Sequence, residues 1–354
     1  MRSSRRQKYR HSRSGRKPDP DAAGHWAEQE LRRWQDYGIV SGYPDGSLKP
    51  DRPLTRAEFI VLLDRVFGFE GGSEAAYKDV PDNAYYRKAL AGASAAGIVN
   101  GTGSGLFMPD RPITREEAAK LIALAFDVEP GPTEAKRSSD AGGIAPWASA
   151  SVESMLGRGY MNGRGMDQFA PKAAMTRAEM IKVLDNVVRR MIGAEGLSDA
   201  TVQGNVVVNR APVRLQNLVV EGDLILAPGI RTGEVSLDHV TVSGRVLVQG
   251  SPDSGIAIRD SQLAVVQLAS PKTKLSLTAV KIDRLRMLPS AAGSIVSQDE
   301  ATSIGQLDNA AQRVEFRKPP AAADGTTGSP SDTGGGGQVG TEPDDPPRAG
   351  DRSF

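Results

Sequence analysis

The sequence predicts a multidomain chain: an all-α, pseudo-threefold bundle, then an all-β domain of parallel β-helix type, then a disordered tail. Three observations lead there. A Thr-Arg-x-Glu tetrad occurs three times with other landmarks in register. Near residue 200 the texture changes to short runs of Val, Ile and Leu. From 318 the chain is dominated by Pro, Gly, Ser, Thr and Asp.

The repeat comes first because it sets the architecture. Thr55-Arg56-Ala57-Glu58 returns as Thr114-Arg115-Glu116-Glu117 and as Thr176-Arg177-Ala178-Glu179, at steps of 59 and 62 residues. The same steps carry Trp26 to Tyr85 and Trp147, Gly38 to Gly97 and Gly159, and Gly42 to Gly101 and Gly163. They also carry Leu48 to Phe107 and Phe169, Pro50 to Pro109 and Pro171, and Leu54 to Ile113 and Met175. The units are placed at 20–70, 76–129 and 137–193.

Each unit reads as helix, loop, helix. The first helix starts near the aromatic and ends at a glycine, which accepts the left-handed conformation without a Cβ penalty. The loop is punctuated by Gly and Pro, as in Tyr43-Pro44-Asp45-Gly46, a turn signal. The second helix opens on a capping box, Thr-x-x-Glu. A wide apolar stripe at helical period follows: Phe59, Ile60, Leu62, Leu63, Val66 and Phe67 in the first copy. One such helix cannot bury its stripe alone, whereas three packed together can.

Between 200 and 317 the runs are three residues or so long. Val206-Val207-Val208, Val213-Arg214-Leu215, Leu224-Ile225-Leu226 and Val240-Thr241-Val242 are examples, separated by Gly, Asn and Asp. Short strands between tight turns suit a parallel β-helix whose coils stack their apolar positions. A β-sandwich is the alternative, but it wants longer strands.

Composition narrows the function classes. The 354 residues carry a net charge of +1, so no whole-molecule field points to nucleic acid or to an anionic membrane. The exception is local: residues 1–19 hold eight basic residues between Arg2 and Lys17, read as a disordered basic arm. There is no cysteine, which removes disulfides and thiol chemistry. Three distant histidines, His11, His25 and His239, argue against a His-based metal site. No apolar run is long enough for a membrane helix, and no signal peptide is visible. The tail at 318–354 is too polar to order itself.

The three units resemble the S-layer homology family. The residues that carry the likeness are His25-Trp26-Ala27, Gly38-Ile39-Val40-Ser41-Gly42-Tyr43-Pro44-Asp45-Gly46, Pro50 and Thr55-Arg56-Ala57-Glu58, with their counterparts. The resemblance covers residues 20–192. It implies a trefoil of helices that binds secondary cell-wall polysaccharide, often pyruvylated, in grooves between repeats. It further implies an extracellular location at the cell wall or S-layer, without cofactor or metal. The strand-rich half resembles, more loosely, segments that follow such triplets in surface proteins.

On this reading the polysaccharide-binding residues are Arg56, Arg115 and Arg177, Trp26, Tyr85 and Trp147, Gly42, Gly101 and Gly163, and Asp79. A pyruvate ketal presents a carboxylate, and an Arg at a helix start offers a bidentate fork beside free N–H groups. The aromatic faces suit sugar rings, and the glycines would let backbone approach the glycan. Each residue also has a structural reading: capping for the Thr and Glu, core anchors for the aromatics, turns for the glycines. Capping alone does not require the arginines. The copies differ. Copy one has Asp19-Pro20-Asp21 where copy two has Asp79-Val80. Copy two has Thr102-Gly103-Ser104-Gly105 at the turn, where copy three has Arg164-Gly165-Met166-Asp167. Lys172 replaces Asp51 and Asp110. Unequal grooves follow.

Wall anchoring with a displayed β-helix is therefore the expected function, with no catalytic residues. The alternatives are a self-associating scaffold, built by β-helices stacking through their edges, and a polysaccharide-active enzyme using Asp238, Asp260 and Asp283.

Overall fold

The computed structural model describes residues 21–69, 71–72, 77–101, 104–130, 138–165 and 167–317. The basic arm, the Thr102-Gly103 pair, Met166 and the tail at 318–354 lie outside the described residues.

The N-terminal part holds α1 (Glu28–Asp36), α2 (Arg56–Phe67), α3 (Arg87–Ala95), α4 (Arg115–Ala125), α5 (Pro146–Gly157) and α6 (Arg177–Val187). The second helix of each repeat starts as expected. Thr55, Thr114 and Thr176 are extended, and each accepts the backbone N–H of Glu58, Glu117 or Glu179 on its side chain. Those carboxylates accept the cap residue's own N–H in return, completing three capping boxes. The first helices are followed by Gly38, Gly97 and Gly159 at φ 75, 72 and 68°, where an L side chain would be strained. The stripes of α2, α4 and α6 meet in one core with Leu31, Trp34, Leu90 and Val152. Burying each large side chain contributes about 1.5–3 kcal/mol.

Two devices fix the loops. In each repeat one carboxylate accepts two successive backbone N–H groups. Asp21 takes Leu48 and Lys49, Asp79 takes Phe107 and Met108, and Asp140 takes Phe169 and Ala170, all at 2.7–2.9 Å. Lys49, Met108 and Ala170 have positive φ, so the clamp holds a backbone turn that non-glycine residues avoid. Asp21 thus supplies in copy one what Asp79 supplies in copy two. Second, isolated antiparallel bridges link Thr55 to Pro112, Thr114 to Ala174 and Pro53 to Thr176. Repeat one touches two, two touches three, and three touches one.

The C-terminal part is a β-solenoid of about six turns, built wholly from parallel pairs. Its strands are β1 (Val188–Ile192), β2 (Leu197–Gln203), β3 (Asn205–Val208), β4 (Val213–Glu221), β5 (Leu224–Leu226), β6 (Val235–Val248), β7 (Ile256–Arg259), β8 (Gln262–Leu268), β9 (Lys274–Thr278), β10 (Lys281–Met287), β11 (Ile295–Gln298), β12 (Ser303–Asn309) and β13 (Glu315–Arg317). Strands register in three stacked columns per coil. One ladder runs Val213, Val235, Ile256, Leu275, Val296, Phe316. Another runs Val206, Leu224, Val246, Val266, Leu285, Leu307. The ladder residues from Val213 to Val296 and from Val206 to Leu285 form the solenoid's own core, whereas Leu307 and Phe316 at the ladder ends are exposed.

The β region begins at Val188, earlier than the expected residue 200. Val188 caps α6 with extended dihedrals and is itself the first residue of β1, so no linker separates helix from strand. The runs Val206-Val207-Val208, Leu224-Ile225-Leu226 and Val246-Leu247-Val248 do not alternate, because this face is buried on both sides. Val207, Ile225 and Leu247 point outward from the solenoid into the helical core. Further along the same column Gln267 and Arg286 replace them and bond Asp127 and Glu129.

Candidate ligand grooves between the repeats

Each even-numbered helix begins beneath a guanidinium delivered by the preceding repeat. Arg56, at the start of α2, reaches into repeat two. Its Nε donates to Phe107 O at 2.9 Å, Nη1 donates to Glu117 at 3.2 Å, and the guanidinium lies 5.0 Å from the Phe107 ring centroid. Arg115 repeats this on repeat three, with Nε to Phe169 O at 2.8 Å, Nη2 to Asn162 O at 2.6 Å and the Phe169 ring at 4.9 Å. Arg177 closes the cycle on repeat one, with Nη2 to Ser41 O at 2.6 Å and the Tyr43 ring at 5.2 Å.

These arginines are buried, at 8, 3 and 6% exposure. Burial works against the charge and lowers the pKa of each, while Glu117 and Glu179 oppose the shift at Arg56 and Arg115. The expectation of free N–H groups beside them is corrected. The backbone N–H of Arg56 donates to Arg111 O, that of Arg115 to Ala173 O, and that of Arg177 to Arg52 O. The next N–H groups, of Ala57, Glu116 and Ala178, go to Pro109, Pro171 and Pro50. The helix starts are sealed by a neighbouring loop.

A second, more exposed arginine accompanies each glutamate, and only two of the three copies keep it in register. Arg52 donates to Glu58 at 2.6 Å and also bonds the Tyr43 hydroxyl. Arg111 pairs with Glu117. In repeat three Ala173 occupies that register position, and Arg164, from the position of Tyr43, grips Glu179 with Nε and Nη2 at 2.6 Å each. A basic residue near the Glu was the available signal, but its shift in register hid it. The glutamates are accordingly acidic. Burial raises Glu58, Glu117 and Glu179, yet the cap N–H groups and the arginines outweigh it and hold all three below the usual range.

The aromatics stand outside the core: Trp26, Tyr85 and Trp147 are 58, 70 and 50% exposed. Tyr85 faces α2 of the preceding repeat. Partial burial, with Glu58, Tyr86, Asp110 and Tyr43 nearby, pushes its phenol up. Trp147 faces α4, where Lys120 Nζ donates to its carbonyl at 3.2 Å and lies 5.4 Å from its ring. Trp26 precedes α1, which binds α6 through Glu30–Lys182 and through Asp185, held by Arg33 and Trp34. An exposed ring therefore stands beside α2 and beside α4, with arginines at each helix start, and Trp26 holds the matching position before α1, which packs on α6.

The remaining expected residues do other work. Both Asp79 oxygens are occupied by its own loop. A Cβ on Gly101 would press on the Tyr77 ring, and one on Gly163 would lie 2.6 Å from Gln168 O, so these glycines are closed against their own repeats. A Cβ on Gly42 would meet Ser47 O at an ordinary 3.4 Å. Lys172 pairs with the buried Glu116, which accepts Ala145 N–H at the start of α5.

On the solenoid, Asp238, His239 and Asp260 gather at one exposed corner, their ligand atoms within 4.8 Å of one another. His239 Nδ1 already bonds Asp238 at 2.7 Å. Asp283 lies on a different column, after Ile282, so the three acids do not share a face.

Comparison with known proteins bears on this geometry. A family model for the S-layer homology domain matches residues 18–60, 76–119 and 139–181. The chain carries three tandem S-layer homology repeats. The S-layer homology part is similar to the Surface-layer 125 kDa protein of Lysinibacillus sphaericus, 27% identical over 47% of this chain and 14% of that protein. It is also similar to the Cellulosome-anchoring protein of Acetivibrio thermocellus, 29% identical over 43% of this chain and 36% of that one. A match to the S-layer protein EA1 of Bacillus anthracis, 23% identical, runs over 90% of this chain and 37% of that protein. The chain thus spans well under half the length of these relatives. S-layer homology repeats are a cell-wall anchoring module. No helix among the described residues is long and apolar enough to cross a membrane.

Proposed function

We propose that the helical repeats form a pseudo-threefold trefoil whose grooves bind a pyruvylated secondary cell-wall polysaccharide, fixing the chain outside the cell with the solenoid displayed. One observation carries the reading: three exposed rings stand beside helices whose starts carry arginines, in three grooves related by the repeat. Rings suit sugar faces, and guanidiniums suit a ketal carboxylate. The cyclic bridges between repeats support the threefold arrangement. The proposal assigns no reaction to the chain. Arg56, Arg115 and Arg177 are the proposed anion contacts. Asp79 and the glycines shape the loops.

The test is co-sedimentation of the full chain with purified walls. Binding should disappear when the walls are stripped of secondary polymer and weaken when the pyruvyl group is removed. Retention by stripped walls refutes the proposal.

Self-association is a second reading, favoured by the last coils. Leu307 and Phe316 end two interior ladders at 48 and 45% exposure. Sedimentation velocity of the full chain across concentration decides it, and a single monomeric species at all concentrations refutes it.

A further inference from the structure

The three buried guanidiniums are not equally satisfied. Arg56 and Arg115 each place Nε on the carbonyl of a phenylalanine and Nη1 on a carboxylate. Arg177 has neither. Its Nε is buried and has no hydrogen-bond partner among the described residues. Glu58, which corresponds to Glu117 and Glu179, accepts from Thr55 N–H, Arg52 and the Tyr43 hydroxyl. Among the described residues no hydrogen bond or ion pair joins it to Arg177.

The surroundings of Arg177 also differ in the ring it meets. Phe107 and Phe169 offer their rings to Arg56 and Arg115. The corresponding position in repeat one is Leu48, which has no π face, and Arg177 lies over Tyr43 instead. Tyr43 itself corresponds to Thr102 and Arg164. A further cation adds to the imbalance. Arg65 is exposed and holds Ile39 O at 2.8 Å and Ser41 Oγ at 3.2 Å, on the strip of chain that Arg177 holds through Ser41 O. Its counterparts are Leu124 and Asn186. Lys120 brings a cation to the α4 groove, but it is turned to the carbonyl and ring of Trp147. Nη1, which Arg56 and Arg115 place on a carboxylate, is left on Arg177 for an incoming anion, whereas an already paired guanidinium gains little from one.

We infer that the groove along α2, where Arg177 of repeat three and Tyr85 of repeat two flank repeat one, is the principal anion receptor of the chain. It holds a sugar carboxylate through Arg177, with Arg65 and Arg52 above it and Tyr85 as the stacking wall. Arg56 and Arg115, already paired across the repeat boundaries, contribute less to holding the anion. This rests on the glycan-binding proposal above and assigns the charge-bearing step to one groove.

The experiment is calorimetric titration of the full chain with a methyl hexosaminide bearing a 4,6-pyruvate ketal, and with its methyl ester. The acid should bind about tenfold more tightly than the ester. Arg177→Gln should weaken acid binding about tenfold more than Arg56→Gln or Arg115→Gln does. Equal losses in the three variants, or equal affinity for acid and ester, overturn the inference. Arg65→Gln removes an exposed side chain and keeps the test open where Arg177→Gln does not fold. About threefold weaker binding is expected, and unchanged affinity overturns it. The anchoring proposal fails separately, through stripped walls that still retain the chain.

Discussion

Gly68 and Gly229 meet backbone to backbone: a Cβ on Gly68 would lie 2.8 Å from Gly229 Cα. Gly68 ends α2 at φ +63°, and Gly229 N–H donates to Phe67 O at 2.9 Å. The end of a helix and a turn of the solenoid thus share one contact that admits no side chain. Gly229→Ala should cost about 1–3 kcal/mol, because the added methyl can move neither backbone freely. Thermal denaturation checks this, and an unchanged midpoint contradicts it.

Arg245 ties the same two parts together on another edge. It is 9% exposed and bonds Asp223 at 2.7 Å from Nη2, Asp127 at 3.1 Å from Nη1 and the Asp127 carbonyl at 2.9 Å. Asp127 and Glu129 are half exposed, so water softens the loss of their partner. Arg245→Ala should destabilise by about 1–2 kcal/mol. Amide exchange should quicken first around 125–129 and 223–227. Quickening confined to the distal coils would count against the junction role.

Asp79→Ala should destabilise repeat two by removing the acceptor of two adjacent amides. Phe107 and Met108 would lose their partners, and Met108 would keep its φ of 58° without support. About 2–3 kcal/mol is expected, read in a urea titration. The matched variant Asp140→Ala should behave alike, since Phe169 and Ala170 are held in the same way.

Acid should loosen the helical repeats. Glu58, Glu117 and Glu179 sit below the usual carboxylate range when folded. A depressed carboxylate stabilises the fold fully above its unfolded pKa, about 4.3, and loses that stabilisation as pH falls through the folded value. The melting midpoint should drop as pH goes below that value, and Glu117→Gln should flatten part of the drop. A midpoint indifferent to pH between about 5 and 3 would remove these glutamates from the account.

Much of this was legible in residues alone. Thr55 and Glu58 announced a helix start, and Gly38 a helix end, because caps are local chemistry. The arginine beside the cap stood out since capping does not need it. Its burial was not legible: Arg56 is covered by the carbonyl and ring of Phe107, from a loop in the next repeat. Arg164 was hidden because it replaces Arg111 from a different loop position. The different surroundings of Arg177 had a visible sign in Leu48, which stands in register with two phenylalanines. The junction had one too. Val207, Ile225 and Leu247 broke the alternation of their strands, while Gln267 restored it one coil later. Three consecutive apolar residues in a strand require cover on both faces, and the helices provide it. A β-helix read in isolation leaves that second face unexplained.

The direct passage from α6 into β1 has a mechanical consequence. A flexible linker would act as a tether and let the solenoid sweep an arc about its anchor. Here Val187 ends a helix and Val188 begins a strand, with Phe67, Val207 and Leu247 packed in one core. A pull or twist on a distal coil is delivered without slack to the helices that wall the grooves. Under the anchoring proposal the solenoid is a lever arm whose direction is set at the helical repeats.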